Sequence, residues 1–380
     1  MAKKKMYQRP DGLYEKKITI DGKRVVFRGR SEREVIQKIA VYQQEKSAGP
    51  LFEVVADDWW EDVQTRVRYG TIRCYKSSYD RAKGWFSGER IASIESHQIN
   101  SLLLHMKQQG NRKNTIANQK TVLSQIFAFW CASPQYKGDK NPVLLVSLPA
   151  NLSSRERMPP PEEYVKLVDE HPEGFGIAAW TFKYTGVRLA EANGLQYCDI
   201  DFKGEKIKVD KAYPWKHNKP YLEATKSAKG DRTVPLLNKY AAMLAPLAKQ
   251  HKPTDFILSG TSTPLTQSQY NRRWATYCRE LGMAQAIKRK AKKKRANGQE
   301  YECEVTDWLP LVTAHQWRHE FASALYEAGV PDLEAQTILG HADIATTKKI
   351  YTHVRTRQLK AAQDRLNKYF DEPKSTEKAQ

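Results

Sequence analysis

Between Thr313 and Val354 the chain carries His315 and Arg318 in a His-x-x-Arg spacing, His341 directly behind Gly340, and Tyr351 further on. These groups are an imidazole base or acid, a fixed planar cation, a second imidazole and a potential nucleophile. His315 and Arg318 are three apart, so on a helix they share a face. Phe321, Leu325 and Ala328 continue that helical spacing and Gly329 supplies a stop. Upstream, Thr185-Gly186-Val187-Arg188-Leu189 puts an arginine just after a glycine turn at the start of a helix. There its fork and the nearby backbone N–H groups suit a phosphate, and Glu191 is placed to hold the guanidinium. The polar turn Thr225–Arg232 sets Lys226 and Lys229 between two β-like runs. A lysine on a hairpin tip reaches into a neighbouring site and, unlike arginine, gives up a proton readily. Residue types and spacing alone leave phosphate, acyl and metal chemistry open. Surface Arg–Glu pairs, solvated hairpin lysines and core tyrosines are ordinary features of helical proteins.

The elements that must position these groups fall into three stretches. The chain has 380 residues, 40% of them apolar, enough for two or three cores, and a net charge of +20 that calls for a polyanionic partner, nucleic acid before any other. Apolar runs fall well short of the ~20 residues of a membrane span, and the basic start has no apolar region behind it, so the expectation is a protein of the cytoplasm without a leader. Five scattered cysteines without CxxC spacing argue against a zinc site.

Residues 1–48 read as a basic module. Two β-rich runs, Leu13–Ile20 and Lys23–Arg30, flank Asp21-Gly22, and a capping box at Ser31 opens a helix. Residues 51–148 read as four amphipathic helices. Their inward stripes are Phe52, Val55, Trp59 and Val63; Ile72, Tyr75, Tyr79 and Trp85; Ile99, Leu102, Leu103 and Met106; and Ile116, Val122, Ile126 and Phe129. Arg66, Arg68, Arg73, Lys76, Arg81, Lys83, Arg112, Lys113 and Lys120 lie around these stripes, as phosphate contacts or as solvated charge. A Ser- and Pro-rich linker leads into residues 158–372, a mixture of helices with short strands near Lys206–Val209, Tyr221–Thr225 and Arg232–Leu236. Residues 373–380 read as a disordered tail.

The strings TGVRLAEANGLQYCDID, TKSAKGDRTVPL, AHQWRHEFAS, ILGHADIATT and KKIYTHV resemble, in order, those of the tyrosine recombinase (phage integrase) family. The resemblance is to integrases of lambda-like phages and conjugative transposons. It implies a multidomain, mainly α protein with small β-sheets: an N-terminal three-stranded-sheet arm-binding-like module, a helical core-binding domain and an α+β catalytic domain. It implies a site-specific DNA recombinase, an integrase or excisionase of a mobile element, that cleaves and rejoins DNA through a 3′-phosphotyrosyl intermediate in a transesterification like that of type IB topoisomerases. The catalytic set it implies is Arg188 and Arg318 on the phosphate, His315 as base, Lys226 as acid for the leaving 5′-oxygen, His341 on a phosphate oxygen or behind the nucleophile, and Tyr351 as nucleophile, in preference to Tyr326 and Tyr369. No cofactor or metal is implied. The partners implied are double-stranded DNA at core and arm sites, a homotetramer on DNA, and, as accessory factors, a DNA-bending host protein and an excisionase, all at the bacterial nucleoid. A chromosome-dimer-resolving recombinase and a non-catalytic DNA-binding protein are the alternatives. Against the family's usual length, the stretch between Gly282 and His315 is long, and its basic run Lys288–Arg295 reads as an extended loop.

Overall fold

The structure, a computed structural model, describes residues 6–20, 23–47, 49–154, 158–224, 231–294 and 298–341, with Gln363 and Asn367. Asp21-Gly22, Lys226, Lys229, Arg295 and Tyr351 lie outside the described residues. The chain divides into two units, Met1–Arg155 and Glu156–Gln380.

The first unit opens with a three-stranded antiparallel sheet, β1 (Tyr7–Gln8), β2 (Tyr14–Ile20) and β3 (Lys23–Gly29), followed by α1 (Glu32–Ser47). In the β2–β3 register Ile18 faces Val25, and both pack against the core around Phe27, so apolar side chains from both strands meet. Phe27 then packs with Val35 and Ile39 of α1 in a small core. Glu15, buried beneath the cations, accepts from Arg28 at 2.9 Å and pairs with Lys17 at 3.2 Å.

Four helices follow: α2 (Phe52–Arg66), α3 (Tyr69–Trp85), α4 (Ser96–Gln108) and α5 (Lys113–Ala132). The stripes of α2 and α4 are buried as their spacing predicts, because i, i+3, i+4 and i+7 positions line one side of a helix. On α3 and α5 the inward face differs from the expectation. Trp85 is exposed, and Tyr79 with Ala82 carries the α3 contact. Phe129 is only partly buried, while Phe127 and Trp130 fill the core. Rotation of these helices follows a polar anchor: the buried Gln119 donates to the Ser78 carbonyl at 3.0 Å and accepts from Arg81 at 2.8 Å. Several cations around the bundle have acidic partners: Lys76 with Asp80, Lys83 with Asp57, and Arg66 with Asp62.

The second unit contains α6 (Glu162–Glu170), α7 (Gly176–Thr185), the one-turn α8 (Leu189–Ala192), the strands β4 (Ile200–Asp201), β5 (Lys206–Val209), β6 (Lys211–Ala212), β7 (Trp215–Lys216), β8 (Lys219–Pro220), β9 (Glu223–Ala224) and β10 (Arg232–Pro235), then α9 (Asn238–Gln250) and α10 (Gln267–Glu280). Of the expected strand Tyr221–Thr225, only Glu223–Ala224 is paired among the described residues, where it meets β6. The order β10-β5-β4 forms the principal sheet. Helix α7 is buried almost all round, with Ala178, Ala179, Trp180, Thr181 and Phe182 inside, and α11 (Ala314–Glu327) packs against it. Each fully buried side chain of Phe182 or Trp317 size contributes about 1.5–3 kcal/mol. The last described helix is α12 (Asp332–Leu339).

The basic run is not a loop. Ala284–Lys294 (β11) and Glu300–Pro310 (β12) form a two-stranded antiparallel hairpin. Register places Lys290 opposite Glu304, Lys292 opposite Glu302 and Lys294 opposite Glu300, while Lys288 reaches Glu304 at 3.4 Å. Cross-strand opposite charges support pairing. They replace the apolar alternation by which a strand is ordinarily recognised.

Candidate active site

Two helix ends and a strand assemble the site. Helix α7 stops at Gly186, in the left-handed region at φ +61°. The turn delivers Arg188, whose own N–H donates to Glu191 Oε2 at 2.8 Å across α8. Helix α12 stops in the same way at Gly340, φ +63°, and delivers His341. A side chain at either glycine meets an obstacle: a Cβ at Gly186 lies 2.3 Å from Phe321 Cδ1, and one at Gly340 lies 3.0 Å from Arg232.

Three guanidinium groups converge on the end of α12, where carbonyls lack helical partners and the helix dipole is negative. Arg232 Nε donates to the Ile338 carbonyl at 2.8 Å, Arg318 Nη2 donates to that of Leu339, and Arg188 Nη2 donates to that of Gly340 at 2.7 Å. Arg318 also donates through Nη1 to the Gly186 carbonyl, so one side chain ties the ends of α7 and α12. The Glu191 carboxylate serves two of the arginines. Its Oε1 accepts from Arg188 Nη1 at 2.8 Å and Arg232 Nη1 at 3.2 Å, and its Oε2 accepts from Arg232 Nη2 at 2.8 Å. The Arg188 side chain is 44% exposed, against 2% for that of Arg232, and Arg318 is 2% exposed overall, so Arg188 is the open edge of the cluster.

Charge in the cluster is unbalanced. Among the described residues, three arginines face one carboxylate. Burial, then the charges of Arg188 and Arg232, push Arg318 down to about 9. Burial raises Glu191, but the bonded Arg232 and the charge of Arg188 outweigh it and hold the carboxyl at about 2. Burial and the neighbouring Arg318 and Arg188 push His341 down to about 3, so it stays neutral at pH 7.

A depressed folded-state value gives stability that is complete above the unfolded-state value and lost on acidification. His341 therefore loses its share between about pH 6.5 and 3, and Glu191 loses about 3 kcal/mol between about pH 4.5 and 2. Urea midpoints measured against pH should be flat above about pH 7 and fall below it. A His341→Gln variant should remove the part of the decline that lies above about pH 4.5.

The sequence-predicted residues Arg188, Arg318 and His341 are thus brought together by the end of α12. His315 lies in the first turn of α11, one turn before Arg318, exposed, with its ring 4.5 Å from that of the buried His319. Thr313 and Gln316 cap that turn. Arg232 is the residue that the motifs did not single out. Its signal was positional: on β10 it shares the inward face with Val234, and an arginine there needs a buried partner.

The family model described as Phage integrase family matches residues 178–358, which span this cluster. Tyrosine recombinase XerD of Rickettsia conorii is 30% identical over 233 residues, covering 58% of this chain and 68% of that protein. The chain belongs to the phage integrase family of tyrosine recombinases. A XerC-like tyrosine recombinase of Caldanaerobacter subterraneus subsp. tengcongensis is 27% identical over 341 residues, covering 84% of this chain and 81% of the relative. Among solved structures, the Tn1549 transposon integrase in complex with transposon right end DNA superposes with a TM-score of 0.58 at 21% identity, over 82% of this chain and 99% of that one. A lambda integrase tetramer bound to a Holliday junction superposes at 0.55 and 17% identity, over 91% and 94%. The mainly helical fold with small antiparallel sheets is common to these integrases, and the recombinase shares it.

Proposed function

We propose that this recombinase is the integrase of a phage or conjugative element, cleaving and rejoining double-stranded DNA through a phosphotyrosine. The observation that supports the reading is the convergence of Arg188, Arg318 and His341 on the end of α12, with the Arg188 side chain 44% exposed, an arrangement that suits a phosphodiester. Arg188 and Arg318 act on the non-bridging oxygens, whose charge grows in the pentavalent transition state. The Tyr351 oxygen attacks phosphorus, and the bond to the 5′-oxygen breaks. The tyrosine proton passes to His315, and Lys226 protonates the departing 5′-oxygen, which leaves as the 5′-hydroxyl. Neutral His341 donates to a phosphate oxygen. A diester is exchanged for a diester, so attack by the 5′-hydroxyl of another strand reverses the step without an energy source.

Residues 1–48 are assigned to arm-type sites, residues 51–148 to the core site and residues 158–372 to catalysis. The integrase–DNA complex and the tetrameric junction complex among the structural relatives support DNA and a homotetramer as partners. The XerC-like and XerD relatives favour chromosome-dimer resolution as the second reading, and the basic sheet module Tyr7–Gly29 weighs against it.

The test uses a duplex carrying the DNA at the element's end, nicked next to the scissile phosphate so that the released fragment diffuses away. Wild type should accumulate a denaturant-resistant protein–DNA adduct, and Tyr351→Phe should form none. An adduct of equal yield in the Phe variant would overturn the nucleophile.

A further inference from the structure

The third arginine has no role in the scheme above, yet it is buried like Arg318 and bonded through all three of its guanidinium nitrogens. Arg232 reaches Glu191 through two nitrogens, at 2.8 and 3.2 Å, and the Ile338 carbonyl through the third, at 2.8 Å. It therefore touches both things that orient the phosphate-facing groups: the carboxylate that fixes Arg188, and the α12 turn that ends in His341. Gly340 completes the fit, because a Cβ there lies 3.0 Å from Arg232 Cδ and Nη1.

We propose that Arg232 is a positioning residue for strand cleavage, holding Glu191 away from full neutralisation of Arg188 and holding the α12 turn against Arg188 and Arg318. The proposal rests on the recombination reading. Its physical content is a competition. Glu191 is a saturated acceptor, with Arg232 and Arg188 on Oε1 and with Arg232 and the Arg188 backbone on Oε2. Without Arg232, both oxygens turn to Arg188 as their sole cation, and a guanidinium held bidentately by a carboxylate is a poor clamp for phosphate. The Ile338 carbonyl also loses its donor, which loosens the turn bearing His341.

A structural salt bridge predicts loss of activity in proportion to loss of folded protein. A positioning role predicts a loss tied to the charge on the scissile phosphate. The experiment compares Arg232→Gln and Arg232→Lys with wild type on two nicked duplexes, one with an ordinary phosphodiester and one with an uncharged methylphosphonate at the scissile position. On the diester, Arg232→Gln should form adduct about 100-fold more slowly at saturating protein, with DNA affinity within about threefold of wild type. On the methylphosphonate, which has less charge to clamp, the deficit should shrink to less than about tenfold. Arg232→Lys should fall between, since one ammonium replaces part of the fork. It carries the same comparison if the Gln variant does not fold. Equal deficits on the two substrates would overturn the role of Arg232 while leaving recombination intact. Wild type that forms no adduct on the ordinary diester would count against the recombination reading itself.

Discussion

An Arg318→Lys variant is expected to lose about 10²–10³ in the rate of adduct formation, and to be less stable by about 1–3 kcal/mol. Both effects follow from one geometry. The guanidinium is 2% exposed and spans two carbonyls, Gly186 at the end of α7 and Leu339 at the end of α12. A lysine ammonium cannot bridge those acceptors and also present a second nitrogen to phosphate, because its donors radiate from one atom. At least one buried carbonyl is then left without a partner. Urea titration reads the loss of stability, and single-turnover adduct formation reads the loss of rate. A variant within about threefold of wild type in rate would remove Arg318 from the phosphate clamp.

The larger stability effect belongs to Gly186→Ala. The residue sits at φ +61°, where an L side chain is strained, and its Cβ lies 2.3 Å from the ring of Phe321, which is only 4% exposed. Strain and overpacking add, so the expected cost is about 3 kcal/mol or more. Gly329→Ala is the matched control. Its φ is +73°, but nothing lies within 4 Å of the added carbon, so it should cost about 1 kcal/mol from backbone strain alone. Similar urea midpoints for the two alanine variants would refute the collision with Phe321. The shift at Gly186 also moves the carbonyl that Arg318 binds, so adduct formation should fall beyond what unfolding explains.

How much of this was legible in the sequence depends on the residue. His315-x-x-Arg318 stands out because helical spacing is a local property, and that helix forms as the spacing requires, whereas His341 was legible only as a histidine behind a glycine and the helix that ends there was not read. Glu191 was legible as a brace for Arg188 because the two are three apart. Arg232 was not, since its partners Glu191 and Ile338 are distant in the chain and only its alternation with Val234 on a four-residue strand marks it as inward. The β11–β12 hairpin was misread because its strands are held by lysine–glutamate register. The spacing-of-two pattern Glu300, Glu302, Glu304 was the mirror of Lys290, Lys292, Lys294, and the pair of patterns together was the signal. Trp85 and Phe129 were assigned inward from stripe spacing, whereas Gln119 and its bonds to Ser78 and Arg81 set the rotation of the helices.

The central claim is that the arginine cluster presents a DNA phosphate to one tyrosine. It is tested most directly by trapping wild type on the nicked duplex, digesting the adduct with nuclease and trypsin, and locating the residual nucleotide by mass spectrometry. The account predicts the phosphate on Tyr351, in the tryptic peptide Ile350–Arg355. A nucleotide on Tyr326, on Tyr369 or on any serine would contradict it.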